Sequence, residues 1–323
     1  MSERIRSMMK AVVIQRFGAP DTLTLEQVPL PSVGAEEILV RLSAAGVNPK
    51  DVLVRKGKFR LFTGRRFPMQ LGYDFSGVVV KRGKYIRHLK LGDYVFGMIN
   101  GWQGATYAEY VKVKATECAV VPPRLKPDEA AGVPLAGQTA LQALRDIGNV
   151  QEGDRVIING ASGGVGTLAI QLAKILGAHV TAVSSDQNSR LCTSLGADRI
   201  IDYAATDLDS LEEQFAVFFD VFGNRSFGRV RRLLAPDGVY ITTVPGWRIM
   251  WDRLWTRFFS SQKARLVVVF SRAADVEYLG ELVDHGQLRP VIDRRYALKD
   301  VAEAHAYVET KRARGKVILL PRG

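Results

Sequence analysis

The stretch from Arg155 to Gly166 limits what this chain can fold into more than any other. An apolar run, Val156-Ile157-Ile158, leads through Asn159 into the cluster Gly160-Ala161-Ser162-Gly163-Gly164-Val165-Gly166. Beyond it Val165, Leu168, Ala169, Leu172, Ile175 and Leu176 recur at the spacing of one helix face. The pattern reads strand, tight turn, helix, and it predicts a second strand at Val180-Thr181-Ala182-Val183 after the helix stops at Gly177. That is a βαβ unit of about 30 residues. Glycines without a Cβ let the backbone approach a pyrophosphate, and the free N–H groups at the helix start face its charge. The spacing is G-x-x-G-x-x-G rather than the usual G-x-G-x-x-G, so the context of the turn carries the expectation of a dinucleotide site. The plain alternative is a turn that binds nothing, since glycine also collects in turns for conformational reasons.

The 323 residues allow two domains of ordinary size. No apolar run approaches the ~20 residues that cross a bilayer, which predicts a soluble or at most surface-bound chain. Residues 1–10 are basic without an apolar stretch, so no secretory signal is expected there, and Met8 or Met9 is an alternative start. The two cysteines, Cys118 and Cys192, are too few for a disulfide framework or a four-cysteine zinc site, and His88, His179, His285 and His305 are scattered. No metal site and a reducing, cytoplasmic setting are expected. The net charge of +12 favours anionic partners: phosphorylated cofactors, acyl thioester carriers, acidic membranes or nucleic acid.

Residues 10–14, 37–44, 77–81, 93–96 and 108–113 read as short strands separated by glycine and proline, an irregular β barrel or sandwich. Helical segments are expected at 128–131 and 138–147. From Arg155 onward strands and helices alternate, with further strands at 199–201, 217–220, 239–242 and 266–270 and a helix ending near Leu234. Six such strands predict a doubly wound parallel sheet that binds its ligand at the strands' carboxyl ends. The tail, with helices at 274–284 and 301–308 and a strand at 316–320, is assigned back to the first domain.

Seven segments carry a family resemblance: Ala45-Gly46-Val47-Asn48-Pro49-Lys50-Asp51, Leu71-Gly72-Tyr73-Asp74-Phe75-Ser76-Gly77, Leu91-Gly92-Asp93-Tyr94-Val95, Tyr107-Ala108-Glu109-Tyr110, Leu135-Ala136-Gly137-Gln138-Thr139-Ala140, the 160–166 turn, and Arg314-Gly315-Lys316-Val317. In this order they resemble the medium-chain dehydrogenase/reductase superfamily, in its zinc-free quinone oxidoreductase branch, which also holds enoyl and 2-alkenal reductases. The resemblance covers nearly the whole chain. It implies an α/β protein with a GroES-like β-rich catalytic domain (residues 1–132, completed by 273–323), a Rossmann domain with a doubly wound parallel six-stranded sheet (133–272), and a cleft between them. It also implies a homodimer. Zinc-containing relatives place their metal ligands at positions that match Asn48, Tyr73 and Leu135, and an amide, a phenol and an alkyl group are a poor set for zinc. Without a Lewis acid an alcohol substrate is disfavoured. Hydride addition to a quinone or an α,β-unsaturated carbonyl needs only hydrogen bonds to the developing anion.

An NAD site usually has an acidic residue about 20 residues beyond the glycine turn, at the end of the second strand. Ser184 and Ser185 stand there instead, as suits a 2′-phosphate. By resemblance Ser185, a following base and Tyr203 hold that phosphate. Gln187 and Asn188 replace the base, and Arg190 is the nearest substitute. NADPH is therefore favoured over NADH. The resemblance further implies cofactor contacts from Asn48, Thr139, Gly223, Asn224, Phe270, Arg314 and Lys316. Its candidate catalytic residues are Asn48 as a donor to the substrate oxygen, Asp51 as the residue fixing that loop, and Tyr73 as proton donor. Asp51 also reads as a helix cap, and Tyr73 as a ring filling the space of a lost metal. An enoyl-thioester reductase is a second alternative, weakened because residues 53–59 lack the tyrosine such enzymes carry.

Two stretches stand outside the resemblance. Residues 55–66 hold six bases, which read as a solvated loop or as a rim for a phosphorylated substrate tail. In residues 247–259, Trp247, Met250, Trp251, Leu254, Trp255 and Phe258 fall on one helix face with arginines opposite. That face suits a neighbouring subunit, the cleft, or peripheral contact with a membrane. The rivals to an enzyme are a nucleic-acid-binding protein, for which no motif speaks, and an interaction protein that has kept only the cofactor fold.

Overall fold

The computed structural model describes residues 7–321, so the reading of residues 1–10 lies mostly outside the described residues. Two compact units form. The first comprises the chain through Leu135, Phe270–Gly286 and the residues from Pro290 onward; the second is Ala136–Val269 with Gln287–Arg289. The boundaries read from sequence, 132/133 and 272/273, fall a few residues from these, and 287–289 carries no sequence signal for its place in the second unit.

The first part of the chain runs β1 (Met8–Ile14), β2 (Leu23–Pro29), β3 (Glu37–Val47), α1 (Pro49–Arg55), α2 (Arg60–Thr63), β4 (Met69–Gln70), β5 (Asp74–Arg82), β6 (Tyr94–Met98), β7 (Tyr110–Lys114), β8 (Cys118–Val120) and α3 (Pro127–Ala130). β3 is the organising strand. It pairs with β5, bringing Gly46 opposite Asp74, and with β7 along Glu37 to Arg41. Inward residues of these strands, among them Ile38, Val40, Leu42, Phe75, Val79, Val95 and Val111, form one buried cluster. Full burial of such side chains is worth roughly 1.5–3 kcal/mol each. β3 runs directly into α1, where Pro49 at the first helical position and Asn48 before it set the turn.

The second unit runs α4 (Pro134–Leu141), which continues as π-helical turns through Ile147, then β9 (Arg155–Asn159), α5 (Gly164–Ile175), β10 (His179–Ser184), α6 (Ser189–Ser194), β11 (Arg199–Asp202), β12 (Phe215–Asp220), α7 (Phe227–Val230), β13 (Leu234–Thr242), α8 (Trp247–Phe259) and β14 (Lys263–Leu266). The six strands pair in parallel in the order β11-β10-β9-β12-β13-β14. This is the doubly wound sheet expected. Strand order reverses between β9 and β12, the switch point at which such sheets take ligands, and the 160–166 turn leaves β9 there. β12 reads Phe-Ala-Val-Phe-Phe-Asp because both its faces are covered, and Phe215, Phe218, Val230, Leu234 and Tyr240 close the core.

Two expectations are corrected. The sixth strand is Lys263–Leu266, not 266–270: Val239 to Thr242 of β13 pair with Lys263 to Leu266. An edge strand needs no apolar run, and Lys263 is fixed by its ammonium on the Thr256 and Ser260 carbonyls at the end of α8. The apolar residues Val268 and Phe270 are exposed instead. The helix expected to end near Leu234 is only α7 with a 3-10 turn after it, and Leu234 already belongs to β13.

The chain then returns to the first unit as α9 (Ala273–Asp284), β15 (Ile292–Ala297), α10 (Val301–Glu309) and β16 (Lys316–Leu320). β16 pairs with β3 next to Val47, completing the order β15-β16-β3-β5-β6-β8 with β7 also on β3; β2, β1 and β4 form a separate antiparallel sheet. Lys316 thereby comes beside the β3–α1 junction.

Candidate active site

In the second unit the turn is built for close approach. Gly160 has φ +87°, and a Cβ at Gly166 would lie 2.3 Å from the Gly160 carbonyl oxygen and 2.6 Å from that of Ala161. Gly163 is different. A Cβ there would meet only the Gly160 oxygen, at 3.5 Å, so the protein's own packing tolerates a side chain and the space in front of Gly163 is left open. Gly163 is the N-cap of α5, and helix geometry leaves the N–H groups of Gly164, Val165 and Gly166 without intrahelical acceptors. Together these make an open cradle lined by amide donors at the positive end of a helix dipole, suited to a pyrophosphate.

Around the cradle, Asn188 donates from its amide nitrogen to Ser162 Oγ at 3.0 Å, while its Oδ1 is buried without a partner. At the end of β10, Ser184 is buried and Ser185 partly so; Arg190 and Tyr203 are exposed, and Tyr203 is tied by its N–H to the Ser184 carbonyl. At the end of β12, the buried Asp220 carboxylate accepts from Asn159 Nδ2 (2.7 Å), Gly223 N (2.9 Å), Arg225 N (3.0 Å) and Tyr240 Oη (3.2 Å). Asn159 also donates to Asn224 Oδ1 at 2.7 Å. Burial raises the Asp220 pKa, opposed by these donors. The loop carrying Gly223 and Asn224 is thus anchored to the strand that precedes the cradle. Thr139 is buried on α4.

The first unit holds a buried polar cluster at the β3–α1 junction. Asp51 accepts from Asn48 N at 2.6 Å and from Tyr107 Oη at 2.8 Å. The first bond belongs to the capping box at the start of α1, whose other member is the Asn48 side chain. Its Nδ2 donates to Asp74 Oδ2 at 2.9 Å and its Oδ1 accepts from Lys316 Nζ, which also bonds Asp74 Oδ2 at 3.0 Å. The amide orientation follows from chemistry, since the ammonium needs an acceptor and the carboxylate a donor. Asp74 accepts a further bond from Leu135 N at 2.7 Å. Asn48, Asp51, Asp74 and Lys316 are all buried.

Burial pushes the Asp51 carboxyl up to about 7, against the Asn48 and Tyr107 bonds, and its Oδ1 has no partner. Tyr73 is fully buried; its hydroxyl donates to the Trp102 carbonyl at 2.5 Å, and burial followed by Asp51 raises its pKa. The Lys50 ammonium stands 3.6 Å from the centre of the Tyr73 ring and donates to the Gly101 carbonyl. Burial lowers its pKa, opposed by Asp51 and Asp74. The junction therefore offers Lys50 as a half-covered cation above a buried polar shell.

Residues 34–123 match the family model of the alcohol dehydrogenase GroES-like domain, and residues 195–319 that of the zinc-binding dehydrogenases. The mitochondrial NAD(P)H oxidoreductase RTN4IP1 of Homo sapiens is 32% identical, covering 97% of this chain and 89% of its own. The 2-methylene-furan-3-one reductase of Solanum lycopersicum is 34% identical, covering 98% and 80%. The solved quinone oxidoreductase of Coxiella burnetii is 32% identical with a TM-score of 0.90, covering 98% of this chain and 100% of that one. The chain belongs to the quinone oxidoreductases of the medium-chain dehydrogenase/reductase superfamily.

In this medium-chain oxidoreductase the expected site residues divide by geometry. Gly160 to Gly166, Ser184, Ser185, Tyr203, Gly223 and Asn224 lie at the carboxyl ends of β9, β10, β11 and β12 or just beyond them. Arg190 follows on α6. Phe270 and Arg314 are exposed residues of the first unit, and the Arg314 N–H is bonded to Asp293. Lys316, expected to meet the cofactor, is buried with its ammonium on Asn48 Oδ1 and Asp74 Oδ2. Tyr73, expected as proton donor, has its proton engaged by a main-chain carbonyl. Sequence reasoning passed over Asp74, Tyr107, Asp220 and Asn159. Asp220 did leave a signal, a carboxylate at the end of an otherwise apolar strand.

Proposed function

We propose that the chain is an NADPH-dependent reductase of quinones or α,β-unsaturated carbonyls that works without a metal. The observation that carries the reading is the cradle at Gly163, where a Cβ would make only one ordinary contact, with the Gly160 oxygen, while Gly166 is closed tightly on the turn beneath it. A dinucleotide pyrophosphate fits that contrast. The preference for the 2′-phosphate rests on Ser184 and Ser185 at the end of β10, with Arg190 and Tyr203 beyond and no carboxylate at the strand's last residue. When bound, the dihydronicotinamide supplies the hydride.

The fold family implies zinc in some members, and the donors present do not fit it. Asn48 presents an amide already bonded to a lysine ammonium and a carboxylate, Tyr73 a phenol bonded to Trp102, and Leu135 no donor atom at all. A buried ammonium next to the would-be ligands is a further obstacle to a cation. With no Lewis acid, the anion that develops on the acceptor oxygen must be held by the chain's own donors. Lys50 suits this. Its ammonium is held in place over the Tyr73 ring, and its lowered pKa makes it a better proton source than an ordinary lysine. Asp51, Asp74, Asn48 and Lys316 fix the loop that carries it.

The acceptor class joins what two relatives' names describe, a quinone in one and an enone in the other. The test is spectrophotometric: oxidation of NADPH and of NADH on adding 1,4-benzoquinone or a 2-enal, with and without chelator. NADPH turnover that chelator leaves unchanged is expected. Turnover only with an alcohol, or abolished by chelator, would sink the reading.

A further inference from the structure

Helices that cover a parallel sheet bury their apolar stripe. α8 does the reverse. The side it sets against the sheet carries the buried Ile249 and Thr256, with Asp252 and Arg253 partly covered. Thr256 Oγ1 accepts the Ala264 N–H of β14, which pins that side inward. At 100° per residue the opposite side is Trp247, Met250, Trp251, Leu254 and Phe258. All five are exposed, Trp247 to 83% and Phe258 to 66%. Trp247, Met250, Trp251 and Leu254 line an open groove of about 510 Å³.

The flanks of this stripe are cationic. Arg248 lies on one side, Arg253 and Arg257 on the other, and Arg265 reaches them from β14. Among the described residues none of the four forms an ion pair with a carboxylate. Burial and then the like charges of Arg253 and Arg257 lower the Arg265 pKa, so these cations lie close enough to repel. Asp252, facing Arg248, is the helix's single carboxylate.

A partner must therefore take up a broad aromatic and aliphatic stripe and neutralise three or four arginines together. A second copy meeting this face across a two-fold would bring the arginines against themselves. A nucleic acid would satisfy the arginines and leave Met250 and Leu254 in water. The headgroup region of an anionic bilayer meets both demands, and the net charge of +12 draws the chain to it. No helix among the described residues is long and apolar enough to cross a membrane, so the contact is superficial. We propose that α8 lies in the surface of an anionic lipid bilayer, with its Trp247, Trp251 and Phe258 face inserted and its arginines on the headgroups.

The full chain is tested with vesicles of phosphatidylglycerol and, separately, of phosphatidylcholine alone. Co-sedimentation with the former only is expected, weakening several-fold as salt is raised. Tryptophan emission should shift to the blue, because Trp247, Trp251 and Trp255 are three of the four tryptophans. Combining Trp247→Ala, Trp251→Ala and Phe258→Ala should cost at least tenfold in vesicle affinity, and Arg253→Gln with Arg257→Gln several-fold. Both sets should leave turnover of a soluble acceptor unchanged, which serves as the folding control. No co-sedimentation with phosphatidylglycerol at low salt overturns the proposal. So does undiminished binding by the triple variant, a wild-type oligomer that the triple variant dissolves, or binding to RNA that the vesicles do not displace.

Discussion

Asp51 should give this protein a stability that falls as pH rises through the weakly acidic range. Its carboxyl is fully buried, with Oδ2 held by Asn48 N and Tyr107 Oη and Oδ1 bonded to nothing. Burial dominates and lifts the pKa from 3.8 to about 7. In the unfolded chain the group loses its proton near pH 4, while the folded protein keeps it until about pH 7. Between those values the native state binds more protons, so the stability slope from this residue is negative. A shift of about three units at 1.36 kcal/mol each amounts to about 4 kcal/mol lost between pH 4 and pH 7. The wild-type curve alone will not reveal it. His305 is buried, both its ring nitrogens lack partners, and burial followed by Arg55 pushes it down to about 3. A histidine kept neutral in the fold but free to protonate when unfolded adds stability as pH rises from about 3 to 6.5, the opposite slope in nearly the same window.

The comparison that isolates Asp51 is wild type against Asp51→Asn. The amide oxygen can accept both existing bonds, and the side chain no longer titrates. Because the chain has two units, unfolding in urea is best followed by pulsed hydrogen exchange, read on peptides from β3 of the first unit. Relative to the variant, wild type should lose about 4 kcal/mol between pH 4 and pH 7 and change little outside that range. Curves that stay parallel within about 1 kcal/mol would refute the argument that desolvation controls this carboxyl. A difference of opposite sign would mean that Lys316 and the two hydrogen bonds outweigh burial.

The Lys316–Asp74 pair is buried on both sides, at 4% and 0% side-chain exposure, so Lys316→Met should cost about 3–5 kcal/mol by stranding Asp74. Adding Asp74→Asn should recover part of that loss, and single effects that sum within about 0.5 kcal/mol would show the pair to be uncoupled. At the turn, Gly163→Ala should leave stability within about 1 kcal/mol of wild type while weakening nucleotide binding at least tenfold, since the added methyl occupies only the ligand's space. Gly166→Ala should damage both, because its Cβ meets backbone oxygens at 2.3 and 2.6 Å. Calorimetric titration with NADPH and urea melts of the two variants check this, and wild-type affinity in Gly163→Ala would count against the cradle.

What was legible in the sequence follows the range of the interactions. The 155–176 stretch could be read because its constraints are local: an apolar strand, a turn that glycine closes, and a helix face, all adjacent in the chain. The Asn48–Asp51 spacing with Pro49 between is local too, and the capping box it suggests is present. The partner of Asp74 was not legible. Lys316 lies 242 residues away, and only the pairing of β16 on β3 brings it to the junction. Edge strands hide for a related reason: β14 is Lys-Ala-Arg-Leu, with little apolar signal of its own, while the apolar Val267-Val268-Val269-Phe270 next to it stays outside the sheet. α8 marks the limit of periodicity itself. The spacing of Trp247, Met250, Trp251, Leu254 and Phe258 tells which residues share a face, but not which way that face turns. Here one threonine hydroxyl on Ala264 and one lysine ammonium on the helix's last carbonyls decide it, and they turn the aromatic side to the outside.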